Sequence, residues 1–243
     1  MASWDYKVFE SLALKHSGIE QFEKLKSPLY SIFWKLMLAS YHADESKRLY
    51  RSFLSEESIE GSEEEMVQVV KHFFLSLTGS EKDKINFKEA LILSEAHIIA
   101  YAQSLHSISD ILAQVIYIGI NLENTLSKPI VENNRYLKYI NNCMRNIGFA
   151  SNIVNSIDTL LNLSEFQYLQ AYVNTTKHQS LIEVNHRISF DTSKYGILIH
   201  PFVYKGNPYS EKWANNFVIQ DFQTIKNNII FVGNELNKHL ENT

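Results

Sequence analysis

Asn174 and His178 stand four residues apart in the segment Tyr172-Val-Asn-Thr-Thr-Lys-His178. On a helix that spacing makes their side chains neighbours on one face. At about 100° per residue, Phe166, Leu169, Tyr172, Val173 and Thr176 gather on the core side. Gln167, Asn174 and His178 project from nearly the opposite side, and Lys177 sits at its edge. The outer face is polar and almost uncharged, which suits a polar cleft between subunits. It equally suits a plain surface helix whose terminal histidine interacts with the helix dipole.

Other candidate groups are scattered. His97 and His106 share a long helical stretch with Glu95 and Asp110. The His106–Asp110 spacing permits a hydrogen bond, and His106 is a candidate to orient the motif helix. A zinc site needs three or four ligands, and neither an HExxH nor a Cys–His spacing occurs. No glycine loop could cradle phosphate, and no Ser-His-Asp pattern is present. Neither a metal nor a cofactor is expected. His186 falls on the apolar face of a predicted strand and reads as a buried, satisfied histidine. Arg135, Lys138 and Arg145, with Tyr136 and Tyr139 nearby, form either a solvated helix face or an RNA contact surface built on charge and stacking.

Composition narrows the class. The chain has 243 residues, 45 % of them hydrophobic and spread along its length, as in a globular fold. The net charge is −4, so no bulk positive field holds nucleic acid, and RNA must be met by a local patch. One cysteine, Cys143, allows no intrachain disulfide and points to a reducing compartment. The opening MASWDYKVFESLALKH has no secretory pattern, and the apolar stretch from Ile108 to Ile120 is too short and polar to span a bilayer. A cytoplasmic location without a membrane partner is expected.

The elements that must position the motif are mostly helical. Residues 1–17 read as a weakly structured or short helical lead. A helix runs from Gly18 to about Arg51, with Pro28 as its predicted kink. The acidic stretch Ser55–Glu65 is the best linker, and Ser62-x-x-Glu65 resembles a capping box opening a helix through Leu77. Asn86-x-x-Glu89 marks the start of a long helix to about Leu122, Pro129 a break, and Glu132–Leu163 a helical region interrupted at Gly148. Ser164-x-x-Gln167 is a third capping box and opens the motif helix. Alternation from Ile182 to Phe190, a turn at Asp191-Thr-Ser-Lys and a return from Tyr195 to Tyr204 predict a β-hairpin at about 182–204. A last helix follows from about Glu211 to Leu240. The division is residues 1–80 as an N-terminal helical segment and 81–243 as the bundle that carries the motif.

The long helices and the Y-V-N-x-x-K-H stretch running into a hairpin and a closing helix resemble the HEPN superfamily (higher eukaryotes and prokaryotes nucleotide-binding). The resemblance covers about Lys82 to Leu240 and points to a poorly characterised bacterial branch. It implies a mainly α fold, an antiparallel helical bundle with one β-hairpin before the C-terminal helix. It also implies a homodimer that pairs its motif helices. In active members a histidine acts as general acid or base, since its ordinary pKa lies near neutrality, and an arginine stabilises charge on the phosphate. The RNA 2′-hydroxyl attacks the adjacent phosphate, so no metal is required. On this chain His178 matches the histidine and Asn174 the polar position. The arginine position holds Val173, so Lys177, or Arg187 from the strand, must supply the charge. The implied function is a metal-independent ribonuclease, or a degenerate relative, in stress response or phage defence. A protein antitoxin is a candidate partner. The alternative is a non-catalytic module that binds RNA, a nucleotide or a protein.

Overall fold

The computed structural model describes residues 3–51, 62–189 and 194–243. Residues 55–61 of the acidic linker and residues 190–193 of the expected strand end and turn lie outside them. The chain is mainly α-helical, with short antiparallel strands before the last helix. It forms two compact units. Unit 1 comprises Met1–Leu38, Gln103–Gln170 and Asp221–Thr243, and unit 2 comprises Ala39–Ala102 and Ala171–Gln220.

Helix α1 covers Tyr6–Tyr50. The non-helical residue inside it is Gly18, with φ 78°, a left-handed conformation that glycine adopts without a Cβ penalty. The expected kink at Pro28 is not where the helix breaks. Proline there removes one backbone donor, and the helix continues through it. The lead before Gly18 is ordered and helical. In unit 1 the Trp4 indole N–H donates to Asn237 Oδ1 at 3.3 Å, and Asn237 Nδ2 donates to the Asp5 carbonyl at 3.0 Å.

Helix α2 (Glu63–Thr78) opens on Ser62, whose hydroxyl accepts from the Glu65 N–H at 3.1 Å, as the capping pattern predicts. Helix α3 (Glu81–Gly119) begins earlier than Asn86. Ser80 and Asp83 cap each other, Asp83 N to Ser80 Oγ at 3.3 Å and Ser80 N to Asp83 Oδ2 at 3.0 Å. This is a capping box with aspartate in place of glutamate.

Unit 1 continues with α4 (Leu122–Thr125), α5 (Leu137–Asn146) and α6 (Ser151–Asn162), separated by the breaks expected at Pro129 and Gly148. Gly148 and Ala150 both have positive φ, 65° and 51°, which turns the chain between α5 and α6. Helix α6 packs along α8 (Phe222–Glu241) and against α5. Ile140, Met144, Ile153, Ile157, Ile229, Val232 and Leu236 are buried, the three- and four-residue spacing of bundle helices. Helix α7 (Ser164–His178) carries the motif. The capping box expected at its start does not form. Ser164 is already helical, its hydroxyl bonds Glu165, and Gln167 Nε2 reaches the Leu161 carbonyl at 3.4 Å.

The strand region of unit 2 is richer than one hairpin. Strands β1 (Val184–Ser189) and β2 (Lys194–Ile199) pair antiparallel with Val184 opposite Ile199. The return ends at Ile199 rather than Tyr204, because Pro201 follows and cannot donate to a ladder. β2 is central, since β5 (Lys212–Trp213) pairs on its other edge, and Ile197, Leu198 and Ile199 are all buried. Between them β3 (Phe202–Tyr204) and β4 (Asn207–Tyr209) make a second hairpin. Its two turn residues, Lys205 and Gly206, have φ 51° and 78°, the positive values of a type I′ turn. The last helix follows β5 through a π-helical turn, Asn216–Asp221, later than the expected start at Glu211. The Phe217 carbonyl in that turn accepts the Tyr101 hydroxyl at 2.8 Å.

Candidate functional site

The faces of α7 divide in part as the periodicity predicts, with Thr176 half-buried rather than in the core. Phe166, Leu169, Tyr172 and Val173 are buried. Tyr168, Ala171 and Thr175 join them, so the core side is wider than an alternating stripe. Gln167 is exposed, Asn174 half-buried, and Lys177 and His178 exposed. The helix end is closed by Gln179 N and Ser180 N, which both donate to the Thr175 carbonyl, at 2.9 and 3.1 Å. That closure satisfies a terminal carbonyl with backbone donors and leaves the side chains of Lys177 and His178 out of the capping. Thr176 bonds back to the Tyr172 carbonyl at 3.0 Å, so it too stays within the helix.

Val173 is 1 % exposed. At the position where the family resemblance calls for arginine, the side chain points into an apolar interior. Arg187, on β1, is exposed and forms an ion pair with Glu211 at 3.1 Å. Its guanidinium therefore already faces a carboxylate in unit 2. Arg135 and Arg145 belong to unit 1. The Arg135 guanidinium lies 4.2 Å from the centroid of Tyr117, and its Nε donates to the Ile130 carbonyl at 3.1 Å. Arg145 is bonded to Asp158 at 2.5 Å and to Asn142 at 2.9 Å. These two arginines fasten local structure. Tyr136 and Tyr139 pair with each other, ring centroids 5.6 Å apart.

Other ionisable groups of unit 2 are drawn together by tertiary structure. Tyr172 of the motif helix is buried, and burial together with the nearby Glu95 charge pushes its hydroxyl well above the usual phenol range. Burial also raises the Glu95 carboxyl. His97 meets His42 of α1, Nδ1 to Nδ1 at 3.0 Å. Glu65, buried, pairs with Arg51 at 3.0 Å and accepts the Tyr195 hydroxyl. His186 is sandwiched by aromatic rings, stacked on Phe73 at 5.1 Å and edge-on to Phe87 at 5.4 Å. Its desolvation lowers the imidazole pKa to about 4, so it is neutral at pH 7 and serves packing. The His42–His97 and Glu65–Tyr195 contacts carry no local sequence signal, since the partners are 55 and 130 residues apart.

Among the described residues no group of three or more His, Cys, Asp or Glu side chains is placed to hold a metal ion. No described helix is long and apolar enough to cross a membrane. The chain matches no family model, and neither a curated protein nor a solved structure matches it.

Proposed function

We propose that this protein is an HEPN-like bundle that acts on RNA at the C-terminal end of α7, as a metal-independent endoribonuclease or a degenerate relative of one. The observation that carries the reading is the exposure of the consecutive residues Lys177 and His178. Both side chains are exposed beside the half-buried Asn174, on a helix end where the Thr175 carbonyl accepts two backbone donors. In the proposed reaction the 2′-hydroxyl oxygen bonds to the adjacent phosphorus as the bond to the 5′-oxygen breaks. One imidazole takes the hydroxyl proton, and a protonated imidazole gives one to the leaving oxygen. The products are a 2′,3′-cyclic phosphate and a 5′-hydroxyl. Lys177 offers charge to the phosphate, and Asn174 holds the His178 ring or a phosphate oxygen. A homodimer that pairs two motif helices would supply the second imidazole. A cytoplasmic role in bacterial stress response or phage defence, checked by a protein antitoxin, belongs to the same reading.

The buried Val173 favours a second reading. Lysine offers a point charge where arginine offers a bidentate fork, and Arg187 is engaged by Glu211. On this reading the same helix end binds RNA, a nucleotide or a protein without cleaving. Labelled RNA incubated with the protein in a metal chelator separates the two. Cleavage to cyclic phosphate ends, lost in His178→Ala, supports the ribonuclease. Retention of intact RNA that weakens in Lys177→Ala supports the binding module. Cleavage that survives His178→Ala removes that residue from the mechanism, and neither cleavage nor RNA retention rejects both RNA-directed readings.

A further inference from the structure

Two helices of unit 2 bring a pair of imidazoles together. His42 of α1 and His97 of α3 are both half-buried, and their Nδ1 atoms lie 3.0 Å apart. We propose that the pair binds a divalent transition-metal ion of tetragonal preference, the copper(II) and nickel(II) class, with both Nδ1 atoms as adjacent ligands and water in the remaining positions. The proposal does not rest on the RNA reading. Neither histidine lies on α7, and the cleavage proposed there needs no metal.

The helices hold the rings in place. Ala39, Ala43 and Ser46 form a buried face of small residues on α1, which lets α3 approach closely. One turn beyond His42, the buried Ser94 hydroxyl donates to the Ser46 carbonyl at 3.1 Å. The contacts His42–His97 and Ser46–Ser94 run in opposite directions along the two helices, so α1 and α3 are antiparallel here. Tyr41 stands edge-on to both rings, with centroids 5.2 and 6.3 Å away, which limits how they swing. Ligands carried on two fastened helices keep their geometry better than ligands on a loop.

The spacing selects the class of ion. Two nitrogens bound at about 2.0–2.1 Å, the zinc–imidazole length, lie about 2.9 Å apart at a right angle and about 3.3 Å apart at a tetrahedral one. The 3.0 Å separation is closer to the right angle, the angle between neighbouring ligands of a tetragonal ion. A structural zinc site would need more protein ligands. Glu45, three residues after His42, is engaged by Arg48 at 2.7 Å, so solvent completes the shell. Binding needs only a proton shift. In the neutral pair one ring carries its proton on Nδ1, between the rings, and the other carries its proton on Nε2. On binding, the first proton moves to the outer nitrogen of its own ring. Each Nδ1 then gives a lone pair to the ion, and no proton is released.

Calorimetric titration of the metal-free full chain with copper(II), nickel(II), zinc or magnesium chloride tests this. One copper ion per chain is expected, bound more tightly than nickel or zinc, with no binding of magnesium. His42→Ala and His97→Ala should each weaken copper binding by more than about tenfold, and the double variant should lose no more than either single one, because both ligands serve one ion. His200→Ala, which removes another half-buried histidine of the same unit, should leave binding unchanged. A wild-type readout covers the case in which the alanine variants do not fold. Among the nine histidines of the chain, copper(II) below one equivalent should broaden the ring resonances of His42 and His97 first. Absence of copper binding, magnesium binding of similar strength, copper binding that survives either alanine variant, or broadening that begins at other histidines overturns the proposal.

Discussion

The Nδ1 atoms of His42 and His97 lie 3.0 Å apart, and Tyr41 stands edge-on to both rings. A bond between two imidazoles needs one nitrogen to donate and the other to accept. The pair tolerates one positive charge, on the outer nitrogen of the donor ring, and a second proton on the accepting nitrogen breaks the contact. Burial first, and then the charge on His97, lower the His42 pKa. The sign follows from linkage. Below the ordinary histidine value the unfolded chain binds more protons than the folded one, so this contribution is complete above that value and is lost as pH falls through it. The His42 ring resonance should titrate below that of a free histidine, and His42→Asn should reduce the loss of stability between pH 7 and pH 5. Titration of His42 at or above the ordinary value would contradict this account.

His186 should contribute more strongly in the same direction. Its pKa falls from 6.5 to about 4 between the aromatic rings of Phe73 and Phe87. The linked stability reaches at most about 3 kcal/mol, all of it present above pH 6.5 and lost as pH falls toward 4. Replacing the imidazole with a ring that cannot be protonated isolates the effect. Urea denaturation of His186→Phe should show a flatter dependence on pH between 6.5 and 4 than the wild type, whatever the change at pH 8. An unchanged slope would mean that solvent reaches the ring.

Some local interactions in this fold could be read from the sequence, and the distant ones could not. The Ser62 cap and the break at Gly148 depend on a few neighbouring residues, and both are where the sequence places them. The Ser80–Asp83 cap was hidden because Thr78-Gly79 reads as a turn and aspartate replaces the usual glutamate. The third strand, Lys212–Trp213, is two residues long and has no period to recognise. Helix α1 carries apolar residues on two faces, so spacing alone could not say which was core. At the candidate site, the outward direction of His178 and the inward direction of Val173 follow from helical geometry. The Arg187–Glu211 pair depends on the return of the chain through β4 and had no sequence signal.

The direction of Val173 makes a direct test of the family resemblance risky for the fold. The residue is 1 % exposed. Val173→Arg would bring a guanidinium into an apolar interior without a partner, which costs several kcal/mol or forces the helix to shift. A large fall in melting temperature is expected, with no gain of RNA cleavage. A variant that keeps the wild-type melting temperature would show that position 173 can reach solvent, and would revive the arginine-dependent mechanism.

Gly233 and Trp4 hold the start of the chain against α8 in unit 1. A Cβ on Gly233 would fall 2.1 Å from Trp4 Cδ2, closer than any real contact. The indole cannot simply retreat, because its N–H is bonded to Asn237 and its ring lies 5.5 Å from that of Phe9. Alanine is the better helix former by about 1 kcal/mol, but overpacking a filled core costs about 1–3 kcal/mol. Gly233→Ala should therefore destabilise the protein despite its higher propensity. Trp4→Leu alone should also destabilise it, through lost burial and the lost Asn237 bond. Once the indole is gone the added methyl has room, so the double variant should be more stable than the sum of the two single effects allows. Urea denaturation of the four proteins gives the coupling, and simple additivity would show that the N-terminal contact yields elsewhere when the methyl is added.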